Sequence, residues 1–89
     1  MAIFTAEVEV LDPIGMHARP AGQIVKLVKE SGLDVTFVIG DDQVKANSAL
    51  RLMAAKVKTG EKFTVTVDGA ADDAAAAAVV SQIQDFLKG

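Results

Sequence analysis

The spacing of its apolar residues constrains this chain most, because it switches repeatedly between the two-residue period of a strand and the 3.6-residue period of a helix. In residues 3–10, IFTAEVEV, Ala6, Val8 and Val10 alternate with Glu7 and Glu9, as in a half-buried strand. Asp12-Pro13-Ile14-Gly15 interrupts it with turn residues. From Ala18 the stripe Ala21, Ile24, Val25, Leu27, Val28 is helical, Lys26 and Lys29 suit its C-terminal dipole, and Ser31-Gly32 stops it. Leu33 to Ile39, with Val35, Phe37 and Ile39 on one face, reads as a second strand, and Gly40-Asp41-Asp42 as a hairpin turn into a short strand over Gln43 to Ala46. Asn47-Ser48 offers an N-cap to a short helix over Ala49 to Ala54. After the Thr59-Gly60 turn, Phe63, Val65 and Val67 alternate with Lys62, Thr64 and Thr66 in a strand that Asp68-Gly69 ends. A last helix, Asp72 to Leu87, begins with Ala74 to Ala78, expected to let it approach the sheet closely, and ends with Val79, Val80, Ile83, Phe86 and Leu87.

The order βαββαβα predicts an α+β fold. It is a two-layer open-faced sandwich, with a four-stranded, mainly antiparallel sheet carrying three helices on one face and residues 1–89 forming one domain. Of its 89 residues 51 per cent are apolar, but 15 are alanines, so the core has to be economical. Gly22, inside the first predicted helix, suggests close packing there.

Composition narrows the chemistry. Without cysteine there is no disulfide, thiolate metal site or cysteine nucleophile, and a single histidine excludes a histidine-rich metal centre, so neither metal nor cofactor is expected. The start of the chain has no basic leader pattern and no apolar run approaches 18 residues, so a soluble, cytoplasmic protein without membrane insertion is expected. The net charge of −3 disfavours nucleic acid. Its distribution says more: −3 over residues 1–12, +3 over 13–29, −4 over 30–42, +4 over 43–60 and −3 over 61–89. If the two basic blocks meet in the fold, they form one positive patch suited to anions or an acidic partner.

The reactive cluster is Gly15-Met16-His17-Ala18-Arg19-Pro20-Ala21. Gly15 allows unusual backbone angles, and Pro20 in a first helical turn costs no hydrogen bond, which puts the helix start near His17. The amides of Ala18 and Arg19 then face outward at the positive end of the helix dipole, and Arg19 adds a forked donor suited to phosphate oxygens. A neutral imidazole of His17 at this spot is a nucleophile beside a ready-made oxyanion cradle. A lone histidine at a helix start is otherwise most often a cap or a surface residue.

The run Gly15, His17, Ala18, Arg19, Pro20, Ala21 resembles the active-site signature of the HPr family, the histidine-containing phosphocarriers of the bacterial phosphoenolpyruvate:sugar phosphotransferase system. The length, the element order, the Asn47-Ser48 helix start and the Thr59-Gly60 and Asp68-Gly69 turns fit as well. The resemblance implies that His17 accepts a phosphoryl group from phosphorylated Enzyme I, at Nδ1, and donates it to a histidine on a sugar-specific IIA domain. Arg19 would stabilise the group in transit, and the chain would be a stoichiometric carrier and not an enzyme. It also implies that Met16, Ala49, Leu50, Arg51 and Met53 belong to the docking face, to which the segregation of Lys26, Lys29, Lys45 and Arg51 into two acid-free blocks adds a basic rim, and that Ser48 matches a serine phosphorylated by an ATP-dependent HPr kinase/phosphorylase. Phosphate on Ser48 would put negative charge beside the patch that acidic partners read. Ala49 stands where a larger aliphatic residue is usual and Arg51 where glycine is frequent. As residues alone, Ser48 is a plain N-cap, Met53 suits core or interface, and Ala49, Leu50, Leu52 and Met53 cannot all face inward on so short a helix.

Within the family, a nitrogen-branch phosphocarrier or a regulatory paralogue is the alternative, and His17 counts against the latter. Outside it stand a ferredoxin-like ligand- or RNA-binding module, disfavoured because the four Phe are spaced like core residues, and an acylphosphatase-like hydrolase, which needs no nucleophilic histidine. A monomer is expected.

Overall fold

Each run of alternation becomes a strand, and each 3.6-residue stripe a helix. The computed structural model describes residues 3–88 and gives β1 (Phe4–Glu9), α1 (Ala18–Ser31), β2 (Asp34–Ile39), β3 (Asp42–Lys45), α2 (Ala49–Ala54), β4 (Lys62–Asp68) and α3 (Asp73–Phe86). The strands lie in the order β1-β4-β2-β3, so the last strand inserts between the first two. Every pairing among the described residues is antiparallel. The expected β2–β3 hairpin is present.

Period-two alternation sorts the two faces of the sheet. Val8, Val35, Phe37, Phe63, Val65 and Val67 point into the core, where Phe37 and Phe63 pack with ring centroids 4.7 Å apart. Ala21, Ile24 and Val28 of α1, Leu52 of α2 and Ala76, Val79, Val80 and Ile83 of α3 close over them. The other face presents Thr36, Thr64 and Thr66, which are only half-buried.

Local chemistry sets the helix ends. The Asp72 carboxylate accepts from the Ala75 amide at 2.8 Å, capping α3, and Ser48 Oγ accepts from the Arg51 amide at 3.4 Å, as predicted for α2. Gly32 ends α1 in the left-handed conformation, its amide donating to Val28. On α3 the Gln84 side-chain amide donates to the Glu9 carbonyl at 2.8 Å and accepts from the Glu9 amide at 2.9 Å. It thereby covers backbone groups that edge strand β1 would leave unpaired.

Two packing expectations fail. In the alanine run only Ala76 is buried; Ala74, Ala75, Ala77 and Ala78 face solvent, because the buried stripe continues from Ala76 to Val79, Val80 and Ile83 at helical spacing. Those four alanines support the helix through propensity and not through close approach. Gly22 is also exposed, and a Cβ added there would meet nothing within 4 Å, so it does not mark close packing.

Candidate functional site

The loop between β1 and α1 is held from three sides. The amides of Leu11 and Asp12 donate to the Leu87 carbonyl at 2.9 and 2.7 Å, tying the loop to the end of α3. The Asp12 carbonyl accepts from the Gly15 amide at 2.9 Å and from the Thr59 hydroxyl. The Met16 amide donates to the Val57 carbonyl at 2.9 Å. Gly15 is required twice over: its φ is +86°, and a Cβ there would lie 2.8 Å from that same Val57 oxygen.

His17 is the N-cap residue of α1, in extended conformation, but its side chain makes no capping hydrogen bond. The ring turns back, and Nε2 lies 3.0 Å from Asp12 Oδ2. A carboxylate only accepts, so in the neutral ring Nε2 is the protonated nitrogen and Nδ1 carries the lone pair. The His17 side chain is 28 per cent exposed and that of Asp12 only 8 per cent. Asp12 Oδ1 accepts from the Ile14 amide at 2.8 Å, an Asx-type turn. That bond first, and then the His17 ring, hold the Asp12 carboxyl below the ordinary carboxylate range against the opposing effect of burial; the charges of His17 and Arg19 add in the same direction.

The positive setting expected for His17 is therefore only half of its environment. The α1 amides of Ala18 and Arg19 lack intrahelical acceptors, as at any helix start. At the Nε2 edge of the ring sits the Asp12 carboxylate, a residue whose sequence neighbourhood marks it only as a turn former. Arg19 is exposed and lines a small recess with Asp12, Pro20, Gln23, Asp85 and Phe86; among the described residues it forms no ion pair.

The expected docking residues separate. Met16 is only 7 per cent exposed and belongs to the core, because the Gly15 turn and the Met16–Val57 bond direct it inward. Lys26 and Lys29 are exposed but lie roughly 12 and 16 Å along the axis from Ala18, at 1.5 Å per residue, and Lys26 faces Glu30 at 4.0 Å. Leu50 is 77 per cent exposed while Leu52 is fully buried, which resolves how α2 divides its apolar residues; Ala49 and Met53 are half-buried against the core. Arg51 lines a groove between α2 and β3 with Ile39, Asp42, Gln43, Val44, Ala54 and Ala55.

The two basic blocks meet, but not through Lys45, which pairs with Asp34 at 3.0 Å beside Thr36, Val38 and Thr66 of the sheet. The second block reaches the histidine loop through Val57 and Lys58, whose backbone packs on Gly15. Sequence reasoning also missed Ile14, 75 per cent exposed on that loop. Among the described residues no three His, Cys, Asp or Glu side chains cluster as metal ligands, and no helix is long and apolar enough to cross a membrane.

The open-faced α+β sandwich thus presents one anchored histidine at a helix N-terminus. Residues 4–85 match the family described as PTS HPr component phosphorylation site. The chain belongs to the HPr family of phosphocarrier proteins, which act in phosphotransferase relays. It is 32 per cent identical over 85 residues to phosphocarrier protein HPr of Mycoplasma capricolum subsp. capricolum, covering 96 per cent of this chain and 93 per cent of that one. It is 31 per cent identical over 77 residues to phosphocarrier protein NPr of Escherichia coli (strain K12), with 83 per cent of each covered. The crystal structure of HPr from Bacillus anthracis str. Ames shares the fold with a TM-score of 0.81 at 23 per cent identity, over 97 per cent of this chain and 98 per cent of that one. This membership displaces the RNA-binding and acylphosphatase-like readings.

Proposed function

We propose that this chain carries a phosphoryl group on His17, accepting it from phosphorylated Enzyme I, which draws it from phosphoenolpyruvate, and donating it to a sugar-specific IIA domain in the cytoplasm. One observation carries this reading: a half-buried imidazole sits at the N-terminus of α1 with Nε2 occupied by a carboxylate, so in the neutral ring the lone pair is on Nδ1. The amides of Ala18 and Arg19 supply donors for phosphoryl oxygens, and the Arg19 guanidinium, turning out of its recess, supplies charge. The group leaves with the next protein, so the chain is a stoichiometric carrier and does not turn over a small molecule. Ile14 and Leu50 offer apolar anchors for a partner surface, with Arg51 and Lys58 as cationic neighbours and Ala49 and Met53 at the edge. Ser48, the N-cap of α2, is a regulatory phosphorylation site for an ATP-dependent kinase; an acid-stable phosphate absent from Ser48→Ala is the expected sign.

Incubation with phosphoenolpyruvate and Enzyme I adds one acid-labile phosphate, and His17→Ala takes up none. Label retained by His17→Ala refutes the assignment. The likeness to NPr supports a second reading, a nitrogen-branch carrier. Faster phosphorylation by the nitrogen-branch counterpart of Enzyme I than by Enzyme I itself would select it.

A further inference from the structure

Asp12 makes more contacts than a turn residue needs. Its amide and carbonyl fix the loop to Leu87, Gly15 and Thr59, and Oδ1 closes the turn on the Ile14 amide. Oδ2 is left for a different task, 3.0 Å from His17 Nε2. The carboxylate is almost fully covered, so its position is set by the fold and not by solvent.

We infer that Asp12 is a positioning residue for phosphoryl transfer, whose Oδ2 keeps the proton on His17 Nε2 through both half-reactions. The inference rests on the reading of His17 as the phosphoryl site. On acceptance the Nδ1 lone pair forms the new N–P bond while the donor's bond to phosphorus breaks, its electron pair leaving with the donor. The ring becomes a phosphorylated imidazolium that retains its Nε2 proton, and the Asp12 charge stabilises it. On donation the N–P bond breaks, its pair returns to Nδ1, and neutral imidazole leaves. If Nε2 lost its proton in between, imidazolate would have to leave, a far stronger base and a poorer leaving group. Asp12 thus serves both directions by holding one proton still, as an oriented carboxylate fixes the tautomer of a catalytic histidine elsewhere. Arg19 and Asp85, which border the recess beside Asp12, are the other charged groups near the pair.

Asp12→Asn separates this role from the turn. The amide oxygen still accepts from Ile14, but an NH2 group then faces Nε2 and favours the opposite tautomer, with the proton on Nδ1. The test uses the full chain with 15N-labelled histidine. At about pH 9, where free imidazole is neutral, long-range 1H–15N correlation reports which ring nitrogen is protonated. The wild type should show Nε2–H and Asp12→Asn a shift toward Nδ1–H. Initial phosphorylation by Enzyme I and phosphoenolpyruvate should slow tenfold or more in the variant. A wild-type ring protonated at Nδ1 overturns the inference without reference to any variant, as does an unchanged tautomer or rate in Asp12→Asn. A wild type that shows Nε2–H but takes up no phosphate instead overturns the reading of His17, so the two failures are distinguishable.

Discussion

Two glycines in this chain should answer the same substitution with opposite signs. At Gly15 the backbone is left-handed, with φ +86°, and an added Cβ lies 2.8 Å from the Val57 carbonyl oxygen and 3.3 Å from Lys58 Cα, both backbone atoms that cannot rotate away. Holding alanine in that conformation costs about 1–2 kcal/mol. Relieving the clash by moving the loop breaks the Met16–Val57 hydrogen bond, about 1 kcal/mol more. Gly15→Ala should therefore destabilise by about 2–3 kcal/mol, a fall in melting temperature of roughly 10–20 °C for a domain this size. Because Met16 precedes His17, phosphorylation should slow as well. Gly22 is helical, exposed and surrounded by open space, so Gly22→Ala should stabilise by about 0.5–1 kcal/mol and raise the melting temperature by roughly 2–8 °C. Thermal unfolding followed by circular dichroism reads both variants. A neutral Gly15→Ala, or a Gly22→Ala that lowers the melting temperature, would show that the loop geometry or the helix face described above is wrong.

Two further outcomes follow from the site. Asp12 has a lowered carboxyl pKa in the folded chain, so its charge contributes stability that is present above the ordinary carboxylate range and lost as pH falls through it. The stability gap between wild type and Asp12→Asn, read from urea midpoints, should narrow below about pH 4; a gap constant from neutral to acid pH contradicts the described hydrogen bonds. Leu50 is exposed and makes no core contribution, so Leu50→Ser should leave stability within about 0.5 kcal/mol while raising the KM for phosphorylation by Enzyme I severalfold. An unchanged KM would remove Leu50 from the docking surface.

The elements were readable because their signals are local. Phe63, Val65 and Val67 alternate over a span longer than any turn, and Ser48 and Gly32 stand where helices need a cap or a left-handed residue. The placing of Gly15, His17 and Arg19 at a helix start was legible for the same reason, since a helix start and its unpaired amides are set by a few consecutive residues. Side-chain direction was not. The resemblance puts Met16 on the docking face, yet its orientation depends on a bond to Val57, 41 residues away. Lys45 counted toward a positive patch until the β2–β3 register set it beside Asp34. Block charge says which residues are basic but not where each one points.

Asp12 lies between these cases. Its sequence neighbourhood, Asp-Pro-Ile-Gly, predicts a turn, and the turn forms through Oδ1. An Asx-type turn commits one carboxylate oxygen and leaves the other free to face whatever the chain brings round next. Here the Gly15 turn brings His17 back over it, five residues later. The turn chemistry and the histidine motif were each visible, but their junction depends on the conformation of Gly15, whose φ of +86° reverses the chain between them. Without that reversal Asp12 would still close its turn, but no carboxylate would lie beside Nε2 to set which nitrogen of the neutral ring carries the proton.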